Sequence, residues 1–329
     1  MSIPLSSFLG VLIASLVPVV AISQSWTPPR TADGQPDLQG IWTNGTATPL
    51  ERPNELAGKE YLTEQEAAAF EKQTAVARNS DRRRATAKED LQWAYNNTWY
   101  DWGNKVVKTR RTSIIIDPPD GKIPPYTAKG QEIARAHVEG QSKPPGGPED
   151  IGLPERCLVF PTAGPPMLPY DYNNNYRILQ TPGYVVILIE MIHDVRVIPL
   201  DGRPHISSGI QQWLGDSRGR WEGNTLVVDT TNFNGKTRYA FFYYGITDEN
   251  YHLTERFTRT DPDTILYQFT IDDPTIYTRP FTGELTMSRT GVTMYEYACQ
   301  EGNYAMADML AGARAEEQRA GGATKKSAP

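Results

Sequence analysis

The chain has 329 residues and a formal charge of −6 at neutral pH, long enough for one large core or two smaller ones without help from disulfides or metals. The acidic balance is spread along the chain, and the main basic cluster, Arg82-Arg83-Arg84, is short and set among acids, so nucleic-acid binding has no support. No Walker loop, dinucleotide fingerprint, GxSxG elbow or CxxCH occurs, which leaves nucleotide, nicotinamide and c-type haem chemistry unsupported and no cofactor expected.

Residues 3–22 carry no charged side chain and lead to Ala21-Ile22-Ser23, a small-x-small site for signal peptidase. The reading is a signal peptide over 1–23 and a secreted or periplasmic product with no stable membrane anchor after cleavage. A retained anchor is the rival, opposed by Pro4, Gly10 and Pro18 within the segment. Cys157 and Cys299 are the only cysteines. In an oxidising compartment a disulfide between them is the natural pairing, with two free thiols as the alternative.

Region 24–169 reads as extended and helical structure packed on the β-rich remainder of the chain. Residues 24–53 form an extended lead-in, rich in Pro, Thr, Gly and Asp, anchored by Trp26 and Trp42. Thr63, with Glu66 three residues on, is a capping box that opens a helix to about Ala77. Residues 118–169 are dense in Pro and Gly, broken by a helical patch near 127–139, and read as a long ordered connector carrying Cys157. Asn44-Gly45-Thr46 and Asn96-Asn97-Thr98 are glycosylation sequons, meaningful in a eukaryotic host.

From Tyr176 the texture changes to Val, Ile, Thr, Tyr and Phe punctuated by turn residues. The predicted strands are 176–181, 184–200, 218–222, 224–233, 251–260, 264–272, 280–289 and 292–299, with turns at Asp201-Gly202, Glu222-Gly223-Asn224, Asp261-Pro262-Asp263 and Thr290-Gly291. Eight successive strands imply a mainly β fold, an antiparallel up-and-down, calycin-like barrel over 170–305, with a β-sandwich as the alternative. Residues 306–329 read as a short helix and a disordered tail.

The segment 184–200 reads as one long strand whose odd positions, from Val185 to Val197, place His193 in an apolar file, while Glu190, Asp194 and Arg196 take the other face. A bend near Ile192 would overturn that assignment. In the strand 251–260, Glu255 is the polar exception in the file of Tyr251, Leu253 and Phe257, and His252 and Arg256 lie in the other file. His193 and Glu255 projecting into one barrel cavity would form a general base and its partner. The competing reading is a buried pair that satisfies itself. His205 and His252 could join His193 in a metal site, although no compact ligand motif is present. Tyr172, Trp213, Phe241 and Tyr243 fall in aromatic loops that could stack on a ligand at the barrel mouth or simply plug it.

Segments RTADGQPDLQGIW at 30–42, EMIHD at 190–194, GDSR at 215–218, WEGNTLVV at 221–228 and YEYACQEGNY at 295–304 resemble a family of secreted bacterial proteins of unassigned function. The resemblance spans most of the chain beyond the signal and implies no catalytic residues.

The resulting expectation is a cofactor-independent lyase or isomerase acting on a small, partly aromatic molecule. His193 would move the proton, Glu255 would orient it or act as second acid/base, and His252 and Arg256 would steady negative charge. The alternatives are an extracytoplasmic carrier of an apolar ligand or haem and a metal-dependent hydrolase.

Overall fold

A computed structural model describes residues 26–92, 96–141, 143–160, 163–236 and 249–326. The expected signal segment lies outside the described residues. Among those described, no helix is long and apolar enough to cross a membrane.

The second half of the chain builds most of a nearly closed antiparallel barrel. Its strands are β3 (Asn175–Thr181), β4 (Tyr184–Ile189), β5 (Val195–Pro199), β6 (Asp216–Glu222), β7 (Thr225–Thr231), β8 (His252–Asp261), β9 (Thr264–Asp272) and β10 (Phe281–Arg289). Two short strands, β1 (Gly40–Thr43) and β2 (Ile115–Asp117), come from the N-terminal region. The hydrogen-bonded order is β5-β4-β3-β1-β10-β9-β8-β7-β6, with β2 also paired to β10. The lead-in is therefore a working part of the wall, because β1 bridges β3 to β10.

The ends of this path, β5 and β6, meet through side chains. Arg196 of β5 donates to the Ser217 hydroxyl of β6 at 3.2 Å. Gly219 leaves the space that the side chains of Ile198 and Leu200 fill; a Cβ there would stand 2.8 Å and 2.6 Å from them. Inside the wall, alternate residues such as Val185, Ile187, Leu226, Val228, Leu253, Phe257, Tyr267, Phe269 and Leu285 are buried. The period-2 alternation thus supplies the core, each large apolar side chain contributing about 1.5–3 kcal/mol on full burial.

Three strand expectations are corrected. The count is ten among the described residues, not eight. The segment 184–200 is a hairpin rather than one strand, because the chain reverses over 190–194, where the His193 N–H donates to the Glu190 carbonyl at 3.3 Å and Asp194 turns back to accept the N–H of Ile189 at 2.8 Å. Ile192 and His193 take φ of 59° and 51°, a left-handed conformation that disfavours β-branched residues. Residues 292–299 form no strand. Both edges of β10 are already taken, by β9 on one side and by β1 and β2 on the other, and Val292 and Tyr295 are exposed.

Helix α1 (Glu64–Ala77) opens with the expected capping box between Thr63 and Glu66. Helices α2 (Ala87–Gln92) and α3 (Ala128–Gln141) follow, and α4 (Ala305–Lys326) is longer than the short helix and loose tail expected. Cys157 and Cys299 are disulfide-bonded, with Cα atoms 5.8 Å apart. Trp26 and Trp42 do anchor the lead-in: the Arg259 guanidinium lies between them, 5.7 Å and 5.5 Å from the ring centres, and Arg289 stacks on Trp42 at 4.9 Å. Asn44 cannot carry a glycan in this fold. It is fully buried, and its Nδ2 donates to the Met167 carbonyl at 3.2 Å and to the Tyr176 hydroxyl at 3.4 Å.

Candidate functional site

The four predicted catalytic residues occupy four separate places. Glu255 faces the barrel interior as expected, but its partner is Arg196, not His193. The hairpin turn at 191–193 reverses the file beyond it, so Val195 and Val197 point outward while Arg196 and Ile198 point inward. The guanidinium grips the carboxylate with two hydrogen bonds, Nη1 to Oε1 at 3.0 Å and Nη2 to Oε2. Tyr267 donates its hydroxyl hydrogen to Oε1 at 2.8 Å and accepts the Met167 N–H at 3.0 Å. Burial pushes the Tyr267 phenol well above its ordinary range. Glu255 is thus satisfied by Arg196 and Tyr267 rather than by the expected His193, while Arg196 Nε has no hydrogen-bond partner among the described residues; removing either charge would leave the other buried and uncompensated.

His193 is exposed at the tip of the β4–β5 turn. Its Nδ1 meets the Tyr297 carbonyl at 2.8 Å, and Asp194 beside it is pushed up to about 6 by burial, with His193 opposing the shift. Arg256 lies on the outer face of β8 and pairs with Glu222 at 3.0 Å. Tyr172 packs edge-on against Tyr170 and Phe160, and Trp213 is half-buried in the β5–β6 connection. Phe241 and Tyr243 lie outside the described residues.

The fourth residue, His252, belongs to a cluster that joins four distant parts of the sequence. His252 opens β8, Asp229 lies on β7, Asp216 opens β6, and His205 comes from the β5–β6 connection. Antiparallel register sets Asp229 opposite Arg218 and Thr254, and the strand alternation that turns Leu226, Val228 and Thr230 inward turns Asp229 outward. Asp229 Oδ2 lies 2.7 Å from His252 Nε2, and its Oδ1 lies 2.9 Å from His205 Nε2. His205 Nδ1 is 2.8 Å from Asp216 Oδ2, which also accepts the Ile206 N–H at 3.2 Å. Arg218 completes the chain with a 2.7 Å bond to Asp216 Oδ1.

These contacts set the electrostatics. The hydrogen bond that His252 donates to Asp229 raises the imidazole above its ordinary 6.5, against partial desolvation. Asp229 is lowered from 3.8, chiefly by the His252 hydrogen bond, then aided by His205. Carboxylates only accept, so the ring hydrogen that binds Asp229 sits on His252 Nε2. Its Nδ1 has no partner among the described residues, and the side chain is 42% exposed, open enough to meet a ligand. His205 faces a carboxylate through each nitrogen, so both contacts are hydrogen bonds only when both nitrogens carry hydrogen.

The three strand-region histidines do not converge, since His193 stands on a different turn from the pair that shares Asp229. Among the described residues no group of three or more His, Cys, Asp or Glu side chains is arranged to hold a metal ion. Asp216 and Asp229 escaped the sequence reading. Their signal was present: Asp229 is the one charged residue in the seven of β7, and it shares the outward file with His252 once neighbouring strands are set in register.

Compared with known protein-family models and with curated sequences, the chain matches none.

Proposed function

We propose that the chain is an exported, cofactor-independent lyase or isomerase in which His252 moves a proton on a small, partly aromatic substrate. Asp229 orients the imidazole through Nε2 and raises its affinity for a proton. Nδ1 is then the atom that takes a proton from the substrate in one step and returns one in the next. His205 and Asp216 hold Asp229 from the far side, as the third and fourth members of a positioning chain. The observation that carries this reading is the Asp229 carboxylate shared between two imidazoles.

The site differs from the expectation in place but not in chemistry. It lies on the outer wall of the barrel, and the interior ion pair of Arg196 and Glu255 serves as scaffold. In this reading the calycin-like barrel is a frame for surface groups. The signal segment, the disulfide and the resemblance to secreted bacterial proteins all support work outside the cytoplasm. The partner is a small molecule rather than a nucleic acid or a membrane.

Solvent exchange tests the proposal while the substrate is still unidentified. Small aromatic and carbonyl compounds with an acidic C–H are incubated with the protein in heavy water, and proton signals are followed by NMR. The wild type should exchange one such proton, and His252→Ala should slow this by about 100-fold or more. Equal exchange by wild type and His252→Ala would contradict the reading.

A further inference from the structure

A groove of about 380 Å³ runs between α1 and the barrel wall beside β10, within the size range of small-molecule sites. Its uncharged lining includes Ala67 and Ala68 of α1, Val107, Thr286 and Ser288. The alanines leave the space open. Lys105, Lys108 and Arg110 line it together with Glu64 and Glu71, an excess of one positive charge. The groove shares no residue with the His252 cluster.

The charged groups are not equally committed. Glu71 binds Lys105 Nζ at 2.8 Å through one oxygen and the Val106 N–H at 3.1 Å through the other. Lys108 turns to the Thr264 hydroxyl and, at 3.5 Å, to Asp261. Arg110 is the least engaged. It makes one 3.2 Å contact with Glu64, whose side chain is 89% exposed. The Arg110 backbone is meanwhile held in the left-handed region, at φ 57°, by hydrogen bonds from its N–H to Val107 and from Leu62 to its carbonyl. Strain of this kind in a non-glycine residue persists where the surroundings over-determine it.

We propose that this groove binds a small organic monocarboxylate with an uncharged, partly apolar body, and that Arg110 anchors it. A guanidinium presents a planar fork suited to both oxygens of a carboxylate. The single-point contact with Glu64 uses only part of that capacity, so an incoming carboxylate displaces Glu64 and gains a second bond. The body of the ligand then lies against Ala67, Ala68 and Val107, with the hydroxyls of Thr286 and Ser288 within the same wall.

Benzoate, with benzamide as its uncharged counterpart, provides the probe, and backbone amide NMR shifts at Val107 and Thr286 report binding. Benzoate should shift these signals saturably and benzamide should not. Arg110→Gln should weaken benzoate by about tenfold or more, the scale of a charge-assisted hydrogen bond. Glu64→Gln removes the internal competitor and should tighten binding severalfold, which keeps the test decisive if the Arg110 variant folds poorly. Benzoate that leaves the groove signals unmoved, benzamide that binds equally well, or tightness unchanged in Glu64→Gln would each overturn the proposal.

Discussion

Nδ1 of His193 lies 2.8 Å from the carbonyl oxygen of Tyr297, and that same oxygen accepts the backbone N–H of Cys299, also at 2.8 Å. A carbonyl only accepts, so a ring hydrogen sits on Nδ1 and Nε2 is left outward. The stretch that presents the carbonyl has no ladder of its own and is tied to the N-terminal region by the Cys157–Cys299 bond. Replacing both cysteines with serine should release His193 from this tautomer, seen as averaging of its two ring-nitrogen NMR signals. A ring that keeps a fixed Nδ1–H in the variant would show that the disulfide does not position it. The chain-entropy model adds a stability loss of up to about 5 kcal/mol for so long a loop.

Arg196 and Glu255 are both buried within the barrel, and the pair also carries Tyr267 and, through Ser217, the seam to β6. Removing one charge strands the other. Glu255→Ala should therefore cost about 3–5 kcal/mol in urea unfolding, whereas the paired change Arg196→Met with Glu255→Leu should recover much of it. A double variant no more stable than the single one would mean that the pair holds the fold by its shape and hydrogen bonds rather than by mutual neutralisation.

The titrating groups divide by sign. Asp171 and Asp194 are each pushed up to about 6 by burial. The folded state holds those protons more tightly than the unfolded one, so stability falls as pH rises from 3.8 to about 6. His252, raised above 6.5, contributes fully below that value and loses its contribution as pH rises through the folded value. Asp229, lowered from 3.8, contributes above that value and loses its contribution as pH falls through the folded one. Melting temperatures across pH should show Asp194→Asn flattening the first decline and Asp229→Asn flattening the one above 6.5. Parallel curves for wild type and both variants would refute these assignments.

Much of the β architecture is legible in the sequence because β8, β9 and β10 alternate cleanly between Asp-Pro-Asp and similar turns, and the Thr63 capping box announces α1. The errors have local causes. β1 and β2 are only four and three residues long and sit among prolines and glycines, so periodicity has no room to show itself. The β4–β5 turn uses Ile192 and His193 in place of glycine, and no composition signal marks it. That one hidden turn moved His193 outward and Arg196 inward, exchanging the expected partner of Glu255. Asp216 and Asp229 were missed for a different reason: both lie on outward strand files, which read as solvent-facing until strand register and the β5–β6 connection bring Asp229 between His252 and His205.

In the proposed chemistry Asp229 and His252 act as one proton-transfer unit. The most direct measurement of this is a double-mutant cycle on the exchange reaction, comparing wild type, Asp229→Asn, His252→Ala and the variant with both changes. Asp229→Asn should slow exchange strongly, and adding it to His252→Ala should cost little more, because residues acting as a unit are non-additive. Losses that simply multiply, or a His252→Ala variant that exchanges at the wild-type rate, would contradict it.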